Sequence, residues 1–424
     1  MANFMKKLEL LAPAGNILKM RTALFSGADA VYLGIPDFSL RVRINDFDLD
    51  TVALAIKEVH KQKKKVYVTL NVFAHNQHLE KLPAYVKKIK EMAPDGLIIS
   101  DPGVMSVVRK IWPEAEIHLS TQANCTNGAA AKFWYDQGVT RVVLGREVTL
   151  SEIKEIHKTA PKLELVYFAH GAMCMAYSGR CFLSKELVDR SGNLGDCAQP
   201  CRWEYSIKAK NHEEEFDLVE EEHGTYLLNS KDMCLLEYLP KLIEAGVVSF
   251  KIEGRAKSVY YQAVVSGIYA RALEFLSHKP SDVAWKKEVK YLKAELVDKL
   301  VHRGYTSGFL LGGKAEQNLT SANHLSDWEF CGQVIKEETD WFKPKLKTGE
   351  YAVYFQVHNT IKTSDQVEII GPKYAIIKLS PKKIFDAKTG EELSEAHGGG
   401  GARTALIITK EKVSAFSVLR RKIV

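Results

Sequence analysis

Residues 96–159 read GLIISDPGVMSVVRKIWPEAEIHLSTQANCTNGAAAKFWYDQGVTRVVLGREVTLSEIKEIHKT, and their rhythm decides the fold. Three short apolar runs, Gly96–Ser100, Glu116–Thr121 and Thr140–Gly145, alternate with amphipathic stretches such as Asn127–Gln137 and Leu150–Thr159. Strands that alternate in this way with helical stretches are parallel strands joined by crossover helices. The pattern extends in both directions, with strands expected at Leu8–Leu11, Ala30–Gly34, Val66–Asn71, Leu163–Ala169 and Val248–Glu253, and helices at Asp50–Gln62 and Leu79–Met92. Eight such units predict an α/β fold, a TIM-like (β/α) barrel over residues 1–280.

A chain of 424 residues exceeds one ordinary core, so a second, smaller domain is expected. A helix from Lys257 to about Ser277 is expected to close the barrel. Residues 281–327 read as a helical connection, Trp285–Arg303, followed by a Gly/Ser/Asn-rich linker. Beyond it EFCGQVI, YAVYFQV, QVEIIG, YAIIKL and TALIIT predict a small C-terminal β-barrel domain over 328–424, with a hairpin turn at Gly398–Gly401. The longest apolar runs, GLIIS and LELVYFA, are far too short to span a membrane, and the first fifteen residues lack the apolar core of a secretory signal. A cytoplasmic protein without a membrane partner is therefore expected. The net charge of +7 permits an acidic partner such as RNA without demanding one.

Active sites of such barrels lie where strands end and lead into their helices. The expected strand ends carry Asn71, Ser100, Asp101, Ser120, Gln122, Arg146, Glu147, His170, Glu253 and Arg255, with Lys251 just before the last of them. Of these, His170, Glu253 and Gln122 are candidates for catalysis. Asn71, Arg146, Lys251 and Arg255, with Arg43 after the second strand and Tyr261 after the eighth, are candidates for substrate binding.

The seventh strand runs into YFAHGAMCMAYSGRCFLSKELVDRSGNLGDCAQPCRWEY (Tyr167–Tyr205), which holds four of the seven cysteines: Cys174, Cys181, Cys197 and Cys201. An insertion at about 170–230 follows, ending in a hairpin with an acidic turn, and helix Met233–Ala245, capped from Asn229, Ser230 or Asp232, is expected to lead back to the barrel. In a reducing compartment the four thiols point to metal binding or catalysis. Structural zinc sites favour tight C-x2-4-C knuckles, which only Cys197 and Cys201 match. The wide spacing of Cys174 and Cys181 suits the corners of an iron–sulfur cluster; zinc, reactive thiols and inert buried cysteines remain the alternatives. Cys125, Cys234 and Cys331 are scattered and read as buried filler.

LELLAPAGN, GADAVYLG, IHLSTQANCTN, FAHGAMCMAYSGRC and SFKIEGRAKSVYY together resemble the collagenase-like peptidases, the U-thirty-two peptidase family, and QVEIIGP resembles that family's small C-terminal β-barrel. Thr363-Ser364-Asp365 departs from the Gly-Asp usual there, which concerns only a turn. The resemblance implies two activities. One is the peptidase of the family name, for which the chain offers neither an HExxH helix nor a G-x-S-x-G elbow. The other is oxygen-independent C5 hydroxylation of the wobble uridine of tRNA, with prephenate as hydroxyl donor and a four-iron cluster on Cys174, Cys181, Cys197 and Cys201. It implies the tRNA anticodon loop, a small dicarboxylate and a related paralogue as partners. Arg43, Arg146 and Arg255 would then bind the donor or substrate anion, while Tyr177, Trp203, Tyr260 and Tyr261 would stack bases. The tail Arg420-Arg421-Lys422 and Lys343, Lys345, Lys347, Lys382 and Lys383 would meet RNA phosphates. A non-catalytic, cluster-bearing RNA-binding or assembly protein is the third reading.

Overall fold

A computed structural model describes residues 7–40, 46–174, 176–203, 229–313, 316–318, 323–399 and 403–423. All eight expected barrel strands are present: β1 (Glu9–Pro13), β2 (Ala30–Gly34), β3 (Lys65–Leu70), β4 (Gly96–Ile99), β5 (Ile117–Leu119), β6 (Arg141–Val143), β7 (Glu164–Ala172) and, after the short β8 (Asp232–Cys234), β9 (Val247–Ile252). The eight run parallel in sequence order, and β9 pairs with both β1 and β7. The ring is therefore closed.

The connecting helices start where side chains can cap them. Asp48 accepts from the Thr51 N–H at 2.8 Å ahead of Leu49–Lys61, Asp101 precedes a helix opened by Pro102, and Thr149 and Glu152 form a capping box before Leu150–Thr159. Their apolar stripes are buried, as Val52, Ala55, Ile56 and Val59 show for the first of these.

The return to β9 differs from expectation. Met233–Ala245 is not one helix: β8 is followed by a turn at Leu236–Tyr238 and a short helix at Leu239–Glu244. Asp232 does not cap a helix but accepts from Arg303 Nη2 at 2.6 Å, both side chains being buried. That pair holds β8 beside β10 (Tyr305–Thr306), with β8 antiparallel to the end of β7 and parallel to β10. Residues His302–His324, read from the sequence as part of a linker, thus belong to the barrel's compact unit with the chain up to Met20 and Asp29–Ala256. The expected acidic hairpin lies outside the described residues, as do Gly400 and Gly401 of the expected turn.

The second unit takes Arg21–Ala28, Lys257–Val301 and the chain from Leu325 onward. It contains two long helices, Val259–Ser277 and Asp282–Lys299, and an antiparallel sheet of eight strands that includes Trp328–Val334, Tyr351–Val357, Val367–Ile370, Thr404–Thr409 and Val418–Lys422. Its division from the barrel falls elsewhere than the sequence boundaries at 280 and 327, and Arg420 supplies the reason. This fully buried guanidinium donates to Glu368 and Glu295 at 2.5 and 2.8 Å and to the Tyr374 hydroxyl at 2.8 Å, tying the second helix to the sheet. Arg421 pairs with Glu329 and Asp365. Neither arginine is a free phosphate contact, and Tyr260, stacked on Phe330 with its hydroxyl on the Lys299 carbonyl, is buried.

At the N-terminal end of the barrel, inward side chains form a polar plug. Glu9 accepts from Arg141 Nη1 at 2.6 Å, the Tyr67 hydroxyl at 2.7 Å and the Ser249 hydroxyl at 2.7 Å, and Arg141 also donates to Glu164 at 2.6 Å. Burial, reinforced by the Glu9 carboxylate, raises the Tyr67 phenol far above its usual range, so it remains a donor. The His118 ring stands against Tyr67 at 4.5 Å, and burial holds that imidazole below its ordinary pKa. Breaking a buried pair leaves an uncompensated charge. Arg141→Met is expected to lower stability by about 3–5 kcal/mol in urea denaturation, with the loss largely restored when Glu9 is also replaced by an apolar residue.

Candidate active site

The strand columns that build the plug continue upward into a cavity. On β9 the alternation of a strand carries Ser249, Lys251 and Glu253 along the lumen, and on β3 it carries Tyr67, Thr69 and Asn71. At the C-terminal ends a cavity of about 180 Å³ is lined by Asn71, Gln122, Arg146, Lys251, Glu253 and Arg255, with Tyr32 and Phe168 among its apolar walls.

Three cations meet one carboxylate there. Arg146 Nη2 lies 3.6 Å from Glu253 Oε2, both side chains being largely buried, and the guanidinium carbon stands 3.7 Å from the centroid of Phe168. Its Nε is buried with no hydrogen-bond partner among the described residues. Arg255 donates to the Leu40 carbonyl, and its guanidinium carbon lies 6.0 Å from the Tyr32 ring. Lys251 Nζ lies 4.1 Å from the Tyr32 ring and 5.3 Å from Phe168. Burial lowers its amine to about 7, with Glu253 opposing that shift and Arg255 and Arg146 adding to it. Asn71 accepts from the Leu40 N–H at 3.2 Å and donates to Gln122 Oε1 at 3.4 Å, an acceptor that also receives the Ser120 hydroxyl at 3.1 Å.

Cys174, Cys181, Cys197 and Cys201 line the same cavity. After β7 the chain turns through Tyr177–Gly179, a short helix at Leu183–Val188, and further turns at Gly192–Leu194 and Pro200–Arg202. The Cys181 sulfur accepts from the Leu183 N–H at 3.4 Å and the Cys197 sulfur from the Gln199 N–H at 3.3 Å. Burial raises the Cys201 thiol, Arg202 opposes this, and Cys174 and Cys197 add to it. Among the described residues no three His, Cys, Asp or Glu side chains converge on a point that would hold one metal ion. Four thiols therefore line one cavity, and two of them receive backbone N–H groups.

Other candidates fall elsewhere. His170 is buried, its ring 5.3 Å from Tyr305, and it does not line the cavity. Tyr261 is buried in the second unit near the start of its first helix, and it too is absent from the lining. Arg43 lies outside the described residues. The apolar walls Tyr32 and Phe168 escaped sequence reasoning, because in AVYLG and VYFA they look like core; the signal was their position on the same alternation as polar strand ends. Cys125, Cys234 and Cys331 are buried, as expected.

The sequence has counterparts among known proteins. The model of peptidase family U32 matches residues 15–320, and the chain belongs to that family. It is 37% identical to tRNA hydroxylation protein P of Escherichia coli strain K12, with 93% of each chain covered. It is 35% identical to the 23S rRNA 5-hydroxycytidine C2501 synthase of the same organism over 73% of this chain and 46% of that one. It is also 29% identical to a collagenase of Porphyromonas gingivalis, with 97% of each chain covered.

The cavity depends on a close approach at Gly171. Its φ is +117°, and a Cβ there would lie 2.5 Å from the Glu253 carbonyl oxygen and 2.9 Å from the Glu253 Cβ. Gly171→Ala is expected to cost about 1–3 kcal/mol in urea denaturation. Gly399→Ala, where a Cβ meets nothing within 4 Å, is expected to leave the midpoint unchanged.

Proposed function

We propose that the protein is an RNA hydroxylase that places a hydroxyl group on C5 of the wobble uridine of tRNA without molecular oxygen, taking the hydroxyl from prephenate. The observation that carries this reading is the sharing of one cavity by four thiols and by Arg146, Lys251, Glu253 and Arg255. The names of the relatives, a tRNA hydroxylation protein and an rRNA hydroxycytidine synthase, support RNA hydroxylation in general. Cys174, Cys181, Cys197 and Cys201 would hold a four-iron cluster, which when bound supplies one-electron capacity beside the substrate.

The chain's own residues account for binding and proton handling. Arginine forks match carboxylates in two-point contacts, so Arg146 and Arg255 would grip the two carboxylates of the donor. Glu253, held by Arg146, would accept the proton displaced when C5 of the uracil is substituted. Asn71 and Gln122 would bind the polar edge of the extruded base, as enzymes acting on a base inside a folded nucleic acid must expose it first. Tyr177 and Trp203 are exposed on the cysteine-bearing segment beside Arg180 and Arg202, where they would stack neighbouring bases and meet phosphates.

Among the described residues no contact favours the peptidase reading. His170, which precedes Cys174 by four residues, packs against Tyr305, and among the described residues no histidine lines the cavity beside a cysteine.

Protein purified without exposure to oxygen is expected to be brown, with about four irons per chain. Cys181→Ser or Cys197→Ser is expected to bleach it. Stoichiometric zinc in place of iron and sulfide would refute the cluster. Mass spectrometry of tRNA nucleosides from a strain lacking this protein and its paralogues is expected to show loss of 5-hydroxyuridine derivatives, restored by the intact gene. Their persistence would remove tRNA as substrate. Replacing Arg146 or Arg255 with Ala is expected to abolish the restoration.

A further inference from the structure

We propose that Lys251 is a nucleophile, and that its Nζ condenses with the carbonyl of a 2-oxo acid held in the cavity by Arg146 and Arg255. The placement of the amine carries the inference. Lys251 projects into the lumen between the polar plug below and the ring of charged strand ends above. Among the described residues its Nζ makes neither a hydrogen bond nor an ion pair, and its printed neighbours are the faces of Tyr32 and Phe168. A lysine kept only to neutralise a charge is placed against a carboxylate. This one stands over two aromatic rings, each of which it shares with an arginine: Phe168 with Arg146 and Tyr32 with Arg255.

Such an arrangement is what imine chemistry requires. The attacking amine must be uncharged, and lysines reach that state near neutral pH through desolvation and neighbouring cations. Both are present here, and they bring the amine to about 7 against the pull of Glu253. Arginines on either side of the amine would set a carboxylate so that the adjacent carbonyl carbon faces Nζ. Glu253, two residues along the same strand, stands where it could move the protons. The amine lone pair forms a bond to the carbonyl carbon as the carbonyl π pair moves to oxygen, and a proton passes from the nitrogen through Glu253 to that oxygen to give a carbinolamine. A further proton on that oxygen lets it leave as water, while the nitrogen lone pair forms the C=N bond. Nothing is oxidised or reduced, and water is the only product besides the imine.

The inference rests on the proposed function only in taking the hydroxyl donor to be the oxo acid concerned, since prephenate is a 2-oxo acid with a second carboxylate. The protonated imine would tether that donor and draw electron density from its side chain.

The test uses the full-length protein, purified anaerobically, with pyruvate or phenylpyruvate and sodium cyanoborohydride. Intact-mass measurement is expected to show one adduct, heavier than the protein by the oxo acid less one oxygen atom, and peptide mapping is expected to place it on Lys251. Lys251→Met, which keeps the bulk of the uncharged side chain, is expected to fold and to lose the adduct. Absence of trapping at pH 8, or an adduct on another lysine that survives in Lys251→Met, overturns the proposal. RNA hydroxylation assayed on the same preparation separates the two ideas. Hydroxylation without trapping rejects the imine and leaves the proposed function standing. Trapping on Lys251 without hydroxylation keeps the imine and rejects the function.

Discussion

The buried pair of Glu9 and Arg141 is the contact on which the barrel's interior depends. A closed ring of eight strands must fill its lumen, and here the lower part is filled with charge rather than hydrocarbon. Such a plug costs desolvation, and it is sustained because every partner is satisfied: Glu9 by three donors, and Arg141 by Glu9, Glu164 and the Tyr67 hydroxyl. Its consequence for function is one of height. With the lower lumen occupied, the residues two and four places further along the same strands are pushed to the open end. There, Lys251 and Glu253 above Ser249, and Thr69 and Asn71 above Tyr67, become walls of a cavity rather than parts of a core.

The cysteine-bearing segment completes that cavity from above. It leaves β7, the longest barrel strand, and its turns bring Cys181 and Cys197 to the same cavity as Arg146 and Gln122. Arg180 fastens this layer to the barrel through the Gln122 carbonyl and lies 5.2 Å from the Phe73 ring. The thiols and the cations therefore face one volume, although more than a hundred residues separate Asn71 from Cys181. Family membership alone leaves both peptidase and RNA chemistry open, because fold and function are separable; this shared volume is what favours the second.

Much of this was legible in the sequence, for physical reasons. The eight barrel strands are short buried runs, most of them rich in β-branched residues, and the helices between them carry their caps in plain view at Asp48, Asp101, Asn127 and Thr149. The polar strand ends gave Asn71, Gln122, Arg146, Lys251, Glu253 and Arg255. Short elements stabilised only by distant partners were not legible. β8 looked like a helix start because Asp232 is a good cap, and its partner Arg303 lies 71 residues away. Tyr261 looked close to the site because it follows Arg255 in sequence, yet it belongs to the helix Val259–Ser277 of the second unit. Arg420 and Arg421 looked like a basic tail, and only the tertiary structure reveals the carboxylates around them.

The position of β9 between β1 and β7 also sets an order of events for the chain. Glu9 of β1 and Ser249 of β9, directly opposite in the ladder, are separated by 240 residues. Until β9 arrives, β1 and β7 are both open edges, each presenting unpaired backbone groups that another chain can pair with. Long-range parallel pairing of this kind forms slowly, and a growing chain exposes those edges for as long as β9 is unmade. The cysteine-bearing segment lies between β7 and β9, so its thiols are synthesised and exposed before the wall that will enclose them exists. Maturation of this protein is therefore a problem of timing, in which a chaperone that shields the two edges would also be sheltering the cysteines.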